Sequence, residues 1–114
     1  MSDRLILLGM ADDHKIFRDG LRAALKDKPF LQVAWEVETG NDLMHKLSVK
    51  LPDVLLMDAR IPDADGINAI ARIRKEYQEL RIIVLTMYDD PQLINRMKEM
   101  GANAYLTNTS DPEE

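Results

Sequence analysis

This sequence predicts an α/β domain built on a doubly wound, five-stranded parallel sheet, and three observations support that. Strand-like and helix-like segments alternate along the whole chain. The runs at residues 5–8, 54–57 and 82–85 are continuously apolar, as parallel strands covered on both faces require. Each run also ends in side chains that carry chemistry: Asp12 and Asp13 after the first, Asp58 after the second, Thr86 after the third.

The elements follow in order. Residues 5–11 read as a buried strand. Residues 14–27 read as a helix, with Phe17, Leu21, Ala24 and Leu25 on one face. Residues 31–37 alternate, placing Leu31, Val33, Trp35 and Val37 on one side of a less deeply buried strand at a sheet edge. Residues 41–50 make a short helix with Leu43, Met44 and Leu47 inward. The apolar runs at 53–58 and 81–86 are the central strands. Between them a helix near 66–78 carries Ile67, Ile70, Ile73 and Tyr77. Asp90-Pro91 suits a helix start, because Asp caps and Pro tolerates the first turn. That helix carries Leu93, Ile94, Met97 and Met100, and Gly101 stops it. Residues 103–107 form a fifth strand. Asp111-Pro112-Glu113-Glu114 repeats the cap-then-proline start, so the expectation is five β/α repeats with the last helix missing. In such sheets ligands bind beyond the carboxyl ends of the strands, where every chemistry-bearing residue named above falls.

Composition narrows the function. The 114 residues, 46% of them hydrophobic, fit one folded domain, residues 1–114. The absence of cysteine excludes disulfides, thiolate metal sites and thiol nucleophiles. A net charge of −5, from 15 Lys+Arg against 20 Asp+Glu, argues against nucleic-acid binding by this chain alone. No apolar run approaches membrane-spanning length and no signal-peptide pattern is present, so the expectation is a cytoplasmic protein without a membrane partner.

Three carboxylates at one sheet edge repel one another unless a cation joins them. Mg²⁺ accepts oxygen ligands and keeps several waters. Asp13 and Asp58 are placed to bind directly, Asp12 through water, and the backbone carbonyl of Arg60 completes the set. Asp58 is also a nucleophile in waiting, because carboxylates form acyl phosphates. The Thr86 hydroxyl is placed to donate to a phosphoryl oxygen. Taken singly, Asp13 also fits a helix cap, Asp58 a turn residue and Thr86 a β-branched strand end. Their delivery from three separate strands to one place favours a site. His14 and His45 read as solvated surface positions. Neither G-x-x-x-x-G-K-[ST] nor G-x-G-x-x-G occurs. A phosphatase with an Asp-x-Asp pair is disfavoured, because Ala59-Arg60 follows Asp58.

The stretches Ala11-Asp12-Asp13-His14, Pro52-Asp53-Val54-Leu55-Leu56-Met57-Asp58, Pro62-x-x-x-Gly66, Leu85-Thr86-Met87-Tyr88-Asp89-Asp90 and Gly101-Ala102-x-Ala104-Tyr105-Leu106 together resemble the response-regulator receiver domains, the NarL/LuxR branch in particular. The resemblance covers essentially all of the chain. It implies a flavodoxin-like strand order 2-1-3-4-5 and a regulatory domain, not an enzyme. It implies Asp58 as phosphoacceptor from a sensor histidine kinase, with Mg²⁺ required. Asp12 and Asp13 become the acidic pair, and Thr86 and Tyr105 the switch pair. It further implies a DNA-binding output domain, missing here; a homodimer is expected on separate grounds, because a missing last helix leaves apolar surface and a strand edge open for a second copy to cover. Where the family has a lysine, counting along Tyr105-Leu106-Thr107 reaches Asn108, and Lys98 belongs to the preceding helix. An amide is a weaker, neutral donor. The alternative is therefore a receiver-fold interaction module impaired in phosphorylation; a small Mg²⁺-dependent phosphatase ranks third.

Overall fold

In the computed structural model, residues 5–61, 64–86 and 91–107 are described. The elements run β1 (Ile6–Ala11), α1 (Lys15–Ala24), β2 (Leu31–Val37), α2 (Gly40–Val49), β3 (Val54–Asp58), β4 (Arg60–Ile61), β5 (Ala64–Asp65), α3 (Gly66–Glu76), β6 (Arg81–Thr86), α4 (Pro91–Met100) and β7 (Ala104–Thr107). Five strands form one parallel sheet in the order β2-β1-β3-β6-β7. This is the expected order, with the alternating strand at an edge. The predicted start at Asp90, and the segments at 87–90 and 108–114, lie outside the described residues.

Burial divides between the two sheet faces. One face joins Ala11, Leu55, Met57, Ile82 and Val84 to Leu43 and Leu47 of α2, Ile70 and Ile73 of α3 and Met97 of α4. Each such apolar side chain contributes roughly 1.5–3 kcal/mol on leaving water. The other face is thinner. Met10, Leu56 and Leu85 are buried there, with Phe17 and Leu21 of α1 partly buried against them. Towards β7 that face opens, and Leu106 is 56% exposed.

Two local expectations are corrected, for the first helix and for β2, and a third is refined. The first helix ends at Ala24 rather than residue 27, and Ala24 is exposed. The buried residue of α1 is Arg18, which donates to Glu36 (3.3 Å) and Glu38 (2.6 Å), while Arg22 also reaches Glu36. The turn-rich stretch after Asp58 contains a two-stranded antiparallel hairpin, Arg60 pairing with Asp65 and Ile61 with Ala64. Most informative is β2, whose four apolar residues do not share one side. Leu8 aligns with Val33 but Gly9 with Trp35, so one extra residue is inserted in β2. Val33 therefore joins the α1 side, while Trp35 and Val37 join the larger cluster. The shift turns Glu36 towards Arg18 and Arg22. It also lays the indole over β1, where a Cβ on Gly9 would sit 2.6 Å from two ring carbons of Trp35.

The ends of the helices are secured by identifiable groups. The Thr39 hydroxyl caps α2 by accepting from the Asp42 amide at 3.1 Å. Gly101 ends α4 with φ of 130°. Beneath it, the Arg74 guanidinium donates to the carbonyls of Gly101, Tyr77 and Gln78 and to the side-chain oxygen of Asn103. One cation thus ties the ends of α3 and α4 to the entry of β7.

Candidate functional site

The carboxyl ends of β1 and β3 are adjacent, because Ala11 aligns with Met57. Asp12 and Asp58 each stand one residue further on. Asp12 is held by its own amide donating to the Val37 carbonyl at 3.0 Å, and Ala59 is held by donation to the Leu85 carbonyl at 2.9 Å. These backbone bonds fix where the acidic side chains emerge. Asp12 is 2% exposed and Asp58 8% exposed, whereas Asp13 is accessible.

One ligand atom from each of Asp12, Asp13, His14 and Asp58 lies within 4.8 Å of the others. The three predicted carboxylates are thus brought together, and a histidine joins them. His14 Nδ1 stands 3.1 Å from Asp12 Oδ1, 3.1 Å from Asp13 Oδ1 and 3.5 Å from Asp58 Oδ2. The reading of His14 as a surface residue holds, its side chain being 57% exposed, but it did not foresee the ring nitrogen's contact with the carboxylates. Its immediate succession to Asp12-Asp13 was the available signal. The alternative of Asp13 as helix cap is also corrected: His14 is the N-cap residue of α1, and its amide donates to Asp12 Oδ1 at 2.6 Å.

The electrostatics follow from this crowding. The Asp12 hydrogen bond, then the Asp13 charge, raise His14 above its ordinary 6.5. Burial raises Asp58 above 3.8, against the lowering effect of the Arg60 amide, with the charges of Asp12 and Asp13 adding to the rise. That amide donates to Asp58 Oδ1 at 2.9 Å. Asp12 Oδ2 is buried without a hydrogen-bond partner among the described residues. A buried carboxylate oxygen with no donor fits a divalent cation, and Asp12, Asp13 and Asp58 are the residues that would hold it.

Two of the other predicted residues, Thr86 and Arg60, stand at backbone positions just past strand ends beside this cluster. Thr86 ends β6, one residue beyond Leu85, which aligns with Asp58. Arg60 stands two residues after Asp58, at the start of the small hairpin, and its side chain is exposed. Tyr105 stands on β7, two strands away from the β3 strand that carries Asp58. It aligns with Val84, packs partly buried against the larger cluster, and lies 4.9 Å beneath the Lys98 ammonium. Asn108 lies outside the described residues. A recess of about 800 Å³ opens at the opposite end of the sheet, lined by residues including Pro52, Asp53, Tyr77 and Arg81. It is remote from the acidic cluster.

Comparison with known proteins agrees with the geometry. The model of the response regulator receiver domain matches residues 8–114. The transcriptional regulatory protein LiaR of Bacillus subtilis is 38% identical over 111 residues, which are 96% of this chain and 52% of that protein. The crystal structure of a LuxR-family two-component response regulator from Aurantimonas has a TM-score of 0.87 at 30% identity, over 96% of this chain and 79% of that one. The isolated receiver domain of RcsB from Salmonella enterica, solved with a phosphomimetic, reaches a TM-score of 0.89 at 28% identity, over 96% and 81%. The chain spans about half the length of the curated relatives it matches. Agreement over nearly the whole chain, in sequence and in backbone, places it in the response regulator receiver domain family, among the LuxR/NarL-type regulators of two-component systems.

Proposed function

We propose that residues 1–114 form one receiver domain that accepts a phosphoryl group on Asp58 from a sensor histidine kinase. The observation that carries this reading is the state of the Asp58 carboxylate. Oδ1 is held by the Arg60 amide, while Oδ2 faces the cluster of Asp12, Asp13 and His14. That orientation leaves Oδ2 to form the new P–O bond as the P–N bond of a phosphohistidine breaks, the departing imidazole keeping the electron pair. Receiver domains bind Mg²⁺ in an acidic pocket of this kind. In this reading Asp13 and Asp58 bind it directly, Asp12 through water, and Arg60 by its carbonyl. When bound, the ion supplies positive charge for an anionic donor and for the transition state.

Thr86 donates to the phosphoryl oxygen, and Thr86 with Tyr105 forms the switch pair. Asn108 supplies a neutral amide at the lysine position. The signal passes to a DNA-binding output domain of a longer, cytoplasmic regulator, and a homodimer belongs to the same reading. Asn108 also favours a second reading, in which the fold serves as an interaction module with weak phosphorylation. Intact mass after incubation with Mg²⁺ and acetyl phosphate separates the two. The first expects one added phosphoryl mass, lost in Asp58→Asn and in chelator. An unmodified wild-type chain, or a modified Asp58→Asn chain, overturns it.

A further inference from the structure

Lys98 has no part in the phosphoryl chemistry, because it stands on α4, yet its side chain meets a residue of the proposed switch. We infer that Lys98 is a positioning residue for that switch: its ammonium, seated over the Tyr105 ring, holds the ring at rest, and the contact breaks when Asp58 is modified. The inference rests on the reading of Tyr105 as a switch residue and deepens it by naming what sets the ring's resting place.

Geometry comes first. The Lys98 ammonium stands 4.9 Å from the centroid of the Tyr105 ring. That is inside the roughly 6 Å over which a ring face attracts a cation. Tyr105 sits on β7, the last strand in the sheet order, and packs partly buried against the cluster that contains Met97. The residue thus meets the core while the ammonium stands over its ring. The second support is independent: the base of Lys98 is fixed. Its neighbour Met97 is 1% exposed. The Lys98 carbonyl accepts from the Gly101 amide at 3.1 Å. The Gly101 carbonyl in turn accepts from the Arg74 guanidinium at 2.8 and 3.2 Å. The last turn of α4 is therefore pinned to α3, whereas Tyr105 is carried by β7, in register with Val84 of β6. A cation anchored on α4 and a ring carried by β7 couple the positions of those two elements.

A contact biases a two-state equilibrium only when the two states differ in it. This one exists with Asp58 unmodified, so it favours the resting state. Removing it leaves more of the chain in the competent state, and an anion at Asp58 then binds more tightly. The Lys98 charge by itself acts the other way. Removing a positive charge from an acidic chain disfavours any added anion. The two effects have opposite signs, so the direction of the change separates them.

Beryllofluoride titrated onto the full chain with Mg²⁺, and followed at the Ala59 amide resonance, tests this. Wild type, Lys98→Met and Lys98→Arg are compared, each alone and combined with Tyr105→Leu. Met keeps an unbranched apolar stem without the charge, and Arg keeps the cation. Losing one exposed cation–π contact shifts an equilibrium about 2–5-fold. Lys98→Met should therefore bind beryllofluoride about 2–5-fold more tightly than wild type. Lys98→Arg should match wild type, and the gain should vanish in the Tyr105→Leu background. Without ligand, the Lys98 Hε resonances should sit upfield under the ring current and return to ordinary positions in Tyr105→Leu. Hε resonances already at ordinary positions in wild type remove the contact. Unchanged or weaker binding by Lys98→Met refutes its role, as does an equal gain in the Tyr105→Leu background, and the acceptor reading stands in each case. If wild type binds no beryllofluoride, the acceptor reading falls and this inference falls with it.

Discussion

Substituting Asp12→Asn should make the metal-free protein more stable and the metal-loaded protein less responsive. The ligand atoms of Asp12, Asp13, His14 and Asp58 lie within 4.8 Å of one another. Two like charges at that distance repel by roughly 3.5 kcal/mol at an effective dielectric of 20, and by roughly 0.9 kcal/mol in bulk water. Asp12 faces two such neighbours, but His14 offsets part of the repulsion and Asp13 is partly exposed. A net relief of about 1–3 kcal/mol is the consistent figure. Asn keeps the acceptor for the His14 amide, so the start of α1 is preserved. In chelator the melting temperature should rise by about 3–6 °C per kcal/mol relieved. Wild type should gain about 2.7 kcal/mol when Mg²⁺ reaches a hundredfold excess over its Kd. The variant, short of one carboxylate, should gain much less, so the order of the two melting curves reverses between chelator and excess Mg²⁺. Scanning calorimetry under both conditions reads this directly. An Asp12→Asn protein that is no more stable than wild type in chelator refutes the repulsion argument, and an undiminished Mg²⁺ response refutes the role of Asp12 in binding.

Metal-free stability should fall as pH rises. Folded Asp58 and folded His14 both hold protons more tightly than their ordinary values of 3.8 and 6.5. Their contributions are therefore complete below those values and are lost as pH climbs through the raised folded ones. In chelator, a melting temperature that rises between pH 6.5 and 8 contradicts this, and His14→Asn should flatten that part of the profile. Gly9→Ala should cost about 1–3 kcal/mol, because the new methyl meets Trp35; an unchanged urea midpoint counts against the close approach. Arg74→Ala should cost about 2 kcal/mol by stripping a charged donor from three carbonyls and Asn103, and hydrogen exchange should quicken at the ends of α3 and α4 together.

What could be read before the structure was whatever obeys a period. The continuous apolar runs gave the central strands, and residues 12, 13 and 58 were placed by standing just past them. The positions of Ile70, Ile73 and Met97 followed from helical spacing. What could not be read breaks or ignores a period. The extra residue in β2 has no compositional mark, so Val33 and Trp35 looked like neighbours on one side. Arg18 is buried by pairing with Glu36 and Glu38 across α1 and β2, and hydrophobic periodicity does not count charges. His14 is exposed as its surface reading expects, but its approach to the carboxylates was not legible, because an N-cap residue lies on no face of the helix. Its direction came from the amide bond to Asp12, a contact two residues long that no apolar pattern encodes.

The inserted residue in β2 also has a photophysical consequence. Trp35 is the only tryptophan, and the insertion seats it 7% exposed across β1, its indole nitrogen donating to the Lys50 carbonyl at 2.8 Å. Emission excited beyond the tyrosine absorption band therefore comes from one chromophore, on β2, the strand whose last carbonyl, that of Val37, accepts from the Asp12 amide. It reports on the seam between β1, β2 and α2 and looks away from the carboxylates. Unfolding should shift that emission to the red, whereas loading the pocket should leave its maximum in place, so the molecule carries a built-in optical reference against which signals from the acidic end can be read.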